Sequence, residues 1–233
     1  MSKKPYVVGI AGGTCSGKTT LVKSLVEIFG EYKTVAINMD SYYKKDKPTV
    51  IAPVTRIEYV EANHPDSLEL DRLYADLEAI LDGRGGGGIG ENNRGKSGDV
   101  SGGNSGKSGV ADGGNNGKSG DANIGKSGDD GGGCCDIVFI EGLFALCLDE
   151  IREKLDLKVY IDLQSDERLY RRIKRWSDRA GIDGVALRYL DTVRFRHNEF
   201  VEPSRWHADM VINGDMSGKG VEILCHYIRN SIC

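Results

Sequence analysis

Short apolar runs rich in β-branched residues punctuate the chain at Tyr6–Ala11, Thr34–Met39, Asp136–Ile140, Leu157–Ile161 and Asp209–Ile212, each bounded by Gly, Asp or Asn. Runs of this length are what strands buried on both faces of a parallel sheet require. Between them, apolar residues recur at helical spacing over Lys18–Phe29, Asp66–Leu81, Asp149–Leu155, Asp166–Trp176, Gly184–Glu199 and Ser217–Ile228. Strand and helix alternating in this way predict an α/β fold, a parallel sheet with helices on both faces.

One stretch breaks the pattern. Of the 32 glycines, 21 fall between Gly83 and Gly133, in a segment without an aromatic residue. Gly-Lys-Ser-Gly recurs there at 95–98, 106–109, 117–120 and 125–128, and six Lys/Arg offset six Asp/Glu. A stacked β-solenoid needs an apolar position in every turn, which this repeat lacks. Such a composition cannot bury enough apolar surface to offset its ordering entropy, so residues 83–133 are expected to be a disordered, protease-sensitive insert. The remaining 182 residues suffice for one domain spanning 1–233 around that insert.

Charge narrows the partners. Acidic and basic residues are interspersed, the net charge is −4, and no basic field is available to hold a nucleic-acid backbone. The opening apolar stretch is too brief for a signal sequence or a membrane span, and no other reaches spanning length. Cysteines 15, 134, 135, 147, 225 and 233 have neither Cys-x-x-Cys spacing nor the density of a disulfide scaffold. The expectation is a cytoplasmic protein acting on a small molecule, with no nucleic-acid or membrane partner.

The chemistry concentrates where the first strand meets the first helix. Gly12-Gly13-Thr14-Cys15-Ser16-Gly17-Lys18-Thr19 fits G-x-x-x-x-G-K-[ST], so backbone N–H groups and the helix N-terminus converge on an anion. Lys18 would reach the β- and γ-phosphates, and the Thr19 hydroxyl would help hold Mg²⁺; Thr20 continues the helix beneath the loop. The same expression also matches at Gly90–Ser97 and Gly120–Ser127, but neither match follows a strand or opens an apolar helix. Both are products of composition. The Asn-Lys-x-Asp element of GTPases is absent.

A kinase needs more than a phosphate loop: an acid near the acceptor hydroxyl, an acid near the metal, and cations for the transferred group. Asp40 ends the second strand at the carboxyl edge of the sheet, where ligands of open α/β folds bind. It either readies a hydroxyl or simply forms a turn. Glu141 ends the apolar run Asp136–Ile140, in the manner of a Walker-B acid or of a solvated strand end. Arg168, Arg172, Arg175 and Arg179 share one helical face, as a lid over phosphates or as a solvated basic face. His64, His197, His207 and His226 have no ligand-like spacing.

Taken together, the phosphate loop, Asp40-Ser-Tyr-Tyr43, His64-Pro-Asp-Ser67, Ile140-Glu-Gly-Leu-Phe144, the Arg-rich helix, Phe200-Val-Glu-Pro-Ser204 and Ala208-Asp209 resemble the uridine–cytidine kinase family, in the wider group that includes phosphoribulokinase. The resemblance covers most of residues 5–82 and 136–217. It implies a three-layer P-loop fold with a five-stranded parallel sheet and a mobile helical lid, often assembled as a homo-oligomer. The implied reaction moves the γ-phosphoryl group of ATP, with Mg²⁺, to the 5′-hydroxyl of uridine or cytidine; a sugar phosphate is an alternative acceptor, and an ATP-binding but catalytically reduced protein is another reading. Asp40 becomes the base and Lys18, Arg172 and Arg175 its catalytic partners. Thr19 and Glu141 fall at the metal, and Tyr43, Asn63, His64, Arg172 and Arg188 on the acceptor side. The departures cluster on that side. Asn63 stands where the family has an Asp, Arg188 where it has a Gln, and the Gly-rich segment where it has a pyrimidine-binding hairpin; a second Arg expected after the lid's Arg-Gly is missing, the chain reading Arg179-Ala180-Gly181.

Overall fold

Val7, Val8, Ile10 and Ala11 are fully buried because β1 (Tyr6–Gly12) runs through the middle of the sheet, covered on both faces. We describe the protein from a computed structural model that covers residues 4–84, 135–215 and 218–232. Apart from Gly83 and Arg84, the Gly-rich insert lies outside these residues, as do both spurious phosphate-loop matches, Cys134, Ser217 and Cys233.

The elements follow in the order β1, α1 (Lys18–Ile28), β2 (Thr34–Asn38), β3 (Thr49–Ile51), β4 (Glu58–Val60), α2 (Leu70–Leu81), β5 (Ile137–Glu141), α3 (Asp149–Arg152), β6 (Leu157–Asp162) and α4 (Ser165–Arg188). The helical path continues through a π turn (Tyr189–Val193), α5 (Arg194–Arg196), a second π turn (His197–Val201) and α6 (Glu202–Ser204), before β7 (Met210–Asn213) and α7 (Gly218–Ile232). The main sheet has five strands in the order β2-β5-β1-β6-β7, all parallel, as the apolar runs predict. One core lies on the face covered by α2, where Leu73, Leu77 and Ile80 meet Val138 and Phe144. The opposite core packs Leu21, Leu25 and Phe29 of α1 and Leu224 and Ile228 of α7 against Ile10, Phe139 and Val159. Each of these side chains contributes about 1.5–3 kcal/mol by leaving water.

Helix boundaries depart from the periodicity in informative ways. α2 begins at Leu70 rather than Asp66, because the preceding residues are drawn into pairing with the segment after β2: Glu69 N–H donates to Tyr42 O at 2.7 Å and Lys44 N–H to Ser67 O at 2.9 Å. The helices expected at Asp166–Trp176 and Gly184–Glu199 join into one path, bent at Gly181 (φ 70°, ψ 160°). The expected Asp149–Leu155 helix is a single turn. A feature the periodicity does not predict is the antiparallel hairpin of β3 and β4, pairing Thr49 with Val60 and Ile51 with Glu58. Three-residue strands are too short for an alternation to register.

Candidate active site

The parallel order brings the carboxyl ends of β1, β2 and β5 side by side, Ile10 opposite Glu141 and Glu141 opposite Asn38. Whatever follows these strands must meet at one edge, where ligands of such sheets bind. After β1 the chain turns through Gly12 (φ 145°), Cys15 (φ 58°) and Gly17 (φ 103°) into α1. The Lys18 ammonium donates to Gly12 O at 3.0 Å and Gly13 O at 2.9 Å, along the loop. Burial holds its basicity below the usual lysine range, against the opposing pull of Glu141 and Asp40.

Thr19 Oγ1 donates to Glu141 Oε1 at 2.7 Å, so two residues 122 positions apart in sequence share one hydrogen bond. Glu141 is buried, and burial pushes its carboxyl up from the ordinary range while Lys18 and Thr19 pull it down. Among the described residues no group of three or more His, Cys, Asp or Glu side chains forms a metal cage. A hydroxyl beside a single carboxylate, all oxygen, suits magnesium, which keeps several waters and takes its other ligands from substrate phosphates. The residues therefore fit the ion.

Asp40 opens the turn after β2, its N–H donating to Asn38 Oδ1 at 2.8 Å. Its side chain reaches solvent, and the surrounding protein takes away part of its hydration. Burial therefore pushes the carboxyl up, against the pull of Lys18, Arg175 and Lys47. Tyr43 donates its hydroxyl to Ala62 O at 2.7 Å, and the Lys47 ammonium sits 4.7 Å from its ring centroid. Burial raises the phenol well above its usual range, with Asp40 and Glu61 acting in the same sense and Arg172 against.

The arginine face divides. Arg168 is 5% exposed and lies flat against the phosphate loop, so close that a β-carbon on Gly13 would come within 2.6 Å of its Nη1. Its Nε donates to Leu163 O at 3.0 Å. It supports the loop from behind instead of joining a solvent-facing lid. Arg172 Nη1 donates to Thr14 Oγ1 at 3.0 Å, joining α4 to the loop, while Arg172 and Arg175 flank the Trp176 ring at 4.6 and 4.8 Å. Arg179 is exposed. Three buried polar atoms at the loop have no partner: Ser16 Oγ, Arg168 Nη1 and Arg172 Nε. Unpaired donors around a glycine-rich turn are what a triphosphate satisfies.

On the acceptor side, Arg188 donates from Nη2 to Val60 O at 2.8 Å, and Asn63 N–H donates to Glu61 Oε1 at 2.7 Å. His64 uses Nδ1 to accept from Asp66 N–H at 3.1 Å and packs edge-on against Phe200, 4.7 Å between centroids. Its ring is thus engaged in a turn and an aromatic contact. Thr20 is exposed on α1. Sequence reasoning missed Glu61, 3% exposed and paired with Arg196 Nε at 2.8 Å. It missed Asp191 as well, 2% exposed beneath the β3–β4 hairpin. The β-branched triplet Thr49–Ile51 after Pro48, and Tyr59-Val60 beyond Pro53, were the available signal.

No helix among the described residues is long and apolar enough to cross a membrane. The family model described as "Phosphoribulokinase / Uridine kinase family" matches residues 133–217, which hold β5, Glu141, β6 and the arginine helix. A uridine kinase of Clostridium perfringens is 30% identical over 230 residues, covering 97% of this chain and 96% of that protein. Another, of Deinococcus deserti, is 29% identical over 232 residues, covering 98% of each. Among solved structures, a proposed fructose transport system kinase from Silicibacter sp. TM1040 superposes with a TM-score of 0.54 at 14% identity, covering 91% of each chain, a likeness of fold. Near full-length identity at this level, on a P-loop sheet that gathers a lysine, a threonine–glutamate pair and two arginines at one edge, makes the chain a member of the phosphoribulokinase/uridine kinase family of phosphotransferases.

Proposed function

We propose that the protein is a magnesium-dependent kinase that moves the γ-phosphoryl group of ATP to a hydroxyl of a small acceptor, uridine or cytidine first among them. The observation that carries this reading is the meeting, at one edge of the sheet, of the Thr19–Glu141 pair, the Lys18 ammonium along the phosphate loop and Arg172 hydrogen-bonded to Thr14. Backbone N–H groups of residues 12–19 and the Lys18 ammonium would bind the triphosphate, and Thr20 would lie beside it on α1. Thr19 and Glu141 would hold the metal, which when bound neutralises charge on the β- and γ-phosphates. Asp40 orients the acceptor O–H and takes its proton as the oxygen bonds to phosphorus and the bond to the ADP oxygen breaks. Arg172 and Arg175 meet the negative charge spread over the equatorial oxygens. The names of the near full-length relatives support uridine as acceptor.

A second reading, a phosphorylated sugar as acceptor, is favoured by Arg188 and Asn63. Arg188 brings a guanidinium to Val60 O, just before Asn63, and a neutral amide occupies the place where the family resemblance calls for an acid. A coupled assay over uridine, cytidine, pentoses and pentose phosphates separates the two. Asp40→Asn should cost about 10²–10⁴ in turnover with whichever acceptor works, while MgATP affinity by calorimetry is preserved. Full turnover by Asp40→Asn would remove Asp40 as the base.

A further inference from the structure

The β3–β4 hairpin is joined to the end of α4 and the helical arm beyond it by three clasps. Asp191 accepts from Tyr59 OH at 2.9 Å and from Thr55 Oγ1. Arg188 donates to Val60 O at 2.8 Å and lies 5.7 Å from the Tyr59 ring. Glu61 pairs with Arg196 at 2.8 Å, and Arg196 holds Glu199 at 2.6 Å. From this strap the chain runs directly to the acceptor side: Glu61 accepts from Asn63 N–H, and Ala62 O from Tyr43 OH.

Two facts say that the clasp at Asp191 is more than packing. A carboxylate that is 2% exposed loses its hydration, a cost that an apolar residue of similar size would not incur, so position is what it supplies. It also sits within the π turn Tyr189–Val193, where one extra residue per turn re-aims the side chains; such turns concentrate at functional sites. The hairpin tip, in contrast, is loosely covered. Ile51 and Val54 are 62% and 66% exposed, so its own burial does little to fix it.

We propose that Asp191 is a positioning residue for the acceptor: by clamping Thr55 and Tyr59 it holds the strap Tyr59–Asn63, and with it Arg188 and Asn63, as the pocket wall that faces Asp40. This rests on reading the cleft as a kinase site. Acceptor selectivity then resides in a hairpin outside the phosphate-binding elements, and hairpin and nucleotide affinities are separable.

The test leaves Asp191 in place and removes its donors, with Thr55→Val and Tyr59→Phe singly and together, alongside Asp191→Asn. Kinetics are measured with uridine, or with the best acceptor of the panel above. The double variant should raise the acceptor KM about tenfold, with the KM for MgATP moving less than about twofold. Asp191→Asn, which keeps one accepting oxygen, should fall between it and the wild type. A lower melting temperature with unchanged acceptor KM, or an equal rise in both KM values, would overturn the proposal while leaving the kinase reading intact. A wild-type protein that phosphorylates no acceptor would overturn both.

Discussion

As the base proposed above, Asp40 would act only while deprotonated, so its environment would set the acid limb of activity. Burial raises its carboxyl above the ordinary range, and Lys18, Arg175 and Lys47 oppose that rise. As pH falls through the raised value the base is lost, and kcat/KM should drop at a pH above that of an ordinary aspartate. Of the three cations Lys47 is farthest from the phosphate loop in role, lying over Tyr43. Lys47→Gln removes a charge that favours the carboxylate, so the acid limb should move toward higher pH; a pH profile in which it moves toward lower pH, or stays, would break the link between Asp40 and that limb. At this scale the sequence told where the candidate residues would lie. The loop, Asp40 and Glu141 lie at strand ends, where local pattern dictates position. Arg168 is neither the lid cation nor the solvated charge that the spacing allowed, because its place on the helix face is visible in the spacing but the closeness of Gly13 is not.

Elements decide how the residues are aimed. Gly181 takes φ 70° and ψ 160°, a region essentially restricted to glycine, and divides α4 so that Arg172 and Arg175 lie before the bend and Arg188 after it. No heavy atom lies within 4 Å of where a β-carbon would stand, so substitution meets a conformational cost rather than a clash. In a straight helix Gly→Ala would stabilise by about 1 kcal/mol. Here Gly181→Ala should destabilise by about 1–3 kcal/mol, and should raise the acceptor KM more than the MgATP KM. Thermal melting and steady-state kinetics check both, and a raised melting temperature would mean that the bend is not held in solution. The five strands of the main sheet were readable because each is a continuous apolar run, although the edge strands β2 and β7 are only partly buried. The hairpin was not, because its strands are short and its anchors, Asp191 and Arg196, are contributed from more than 130 positions away. Long-range partners leave no local pattern. The helix start at Leu70 was obscured in the same way, by pairing with residues around Tyr42.

Over the whole molecule, buried ionisable groups give stability opposing dependences on pH. His197 is 7% exposed; burial, with Arg168 beside it, pulls the ring down to about 4, against Glu202 at 3.2 Å. Its folded value lies below the unfolded value of about 6.5, so the stability it contributes is complete above that value and is lost as pH falls toward 4. The loss amounts to about 3 kcal/mol at most. Glu141 has the opposite sign, since its folded value is raised: its contribution is present below the unfolded value and declines as pH rises through the folded one. Urea unfolding between pH 6.5 and 4 should show a stability decline that His197→Gln flattens; an unchanged slope in the variant would assign the decline to other groups. The parallel sheet has one more consequence. Arg84 closes α2 and Asp136 opens β5 beside Lys33, at the strand beginnings, while the phosphate loop, Asp40 and Glu141 stand at the strand endings. The chemistry therefore gathers at one end of the sheet, and β5 carries the chain from the opposite end up to Glu141. Closing a flexible connection costs only about 0.6 kcal/mol more per doubling of its length, so the register of β5 against β1 and β2 does not depend on a short link from α2.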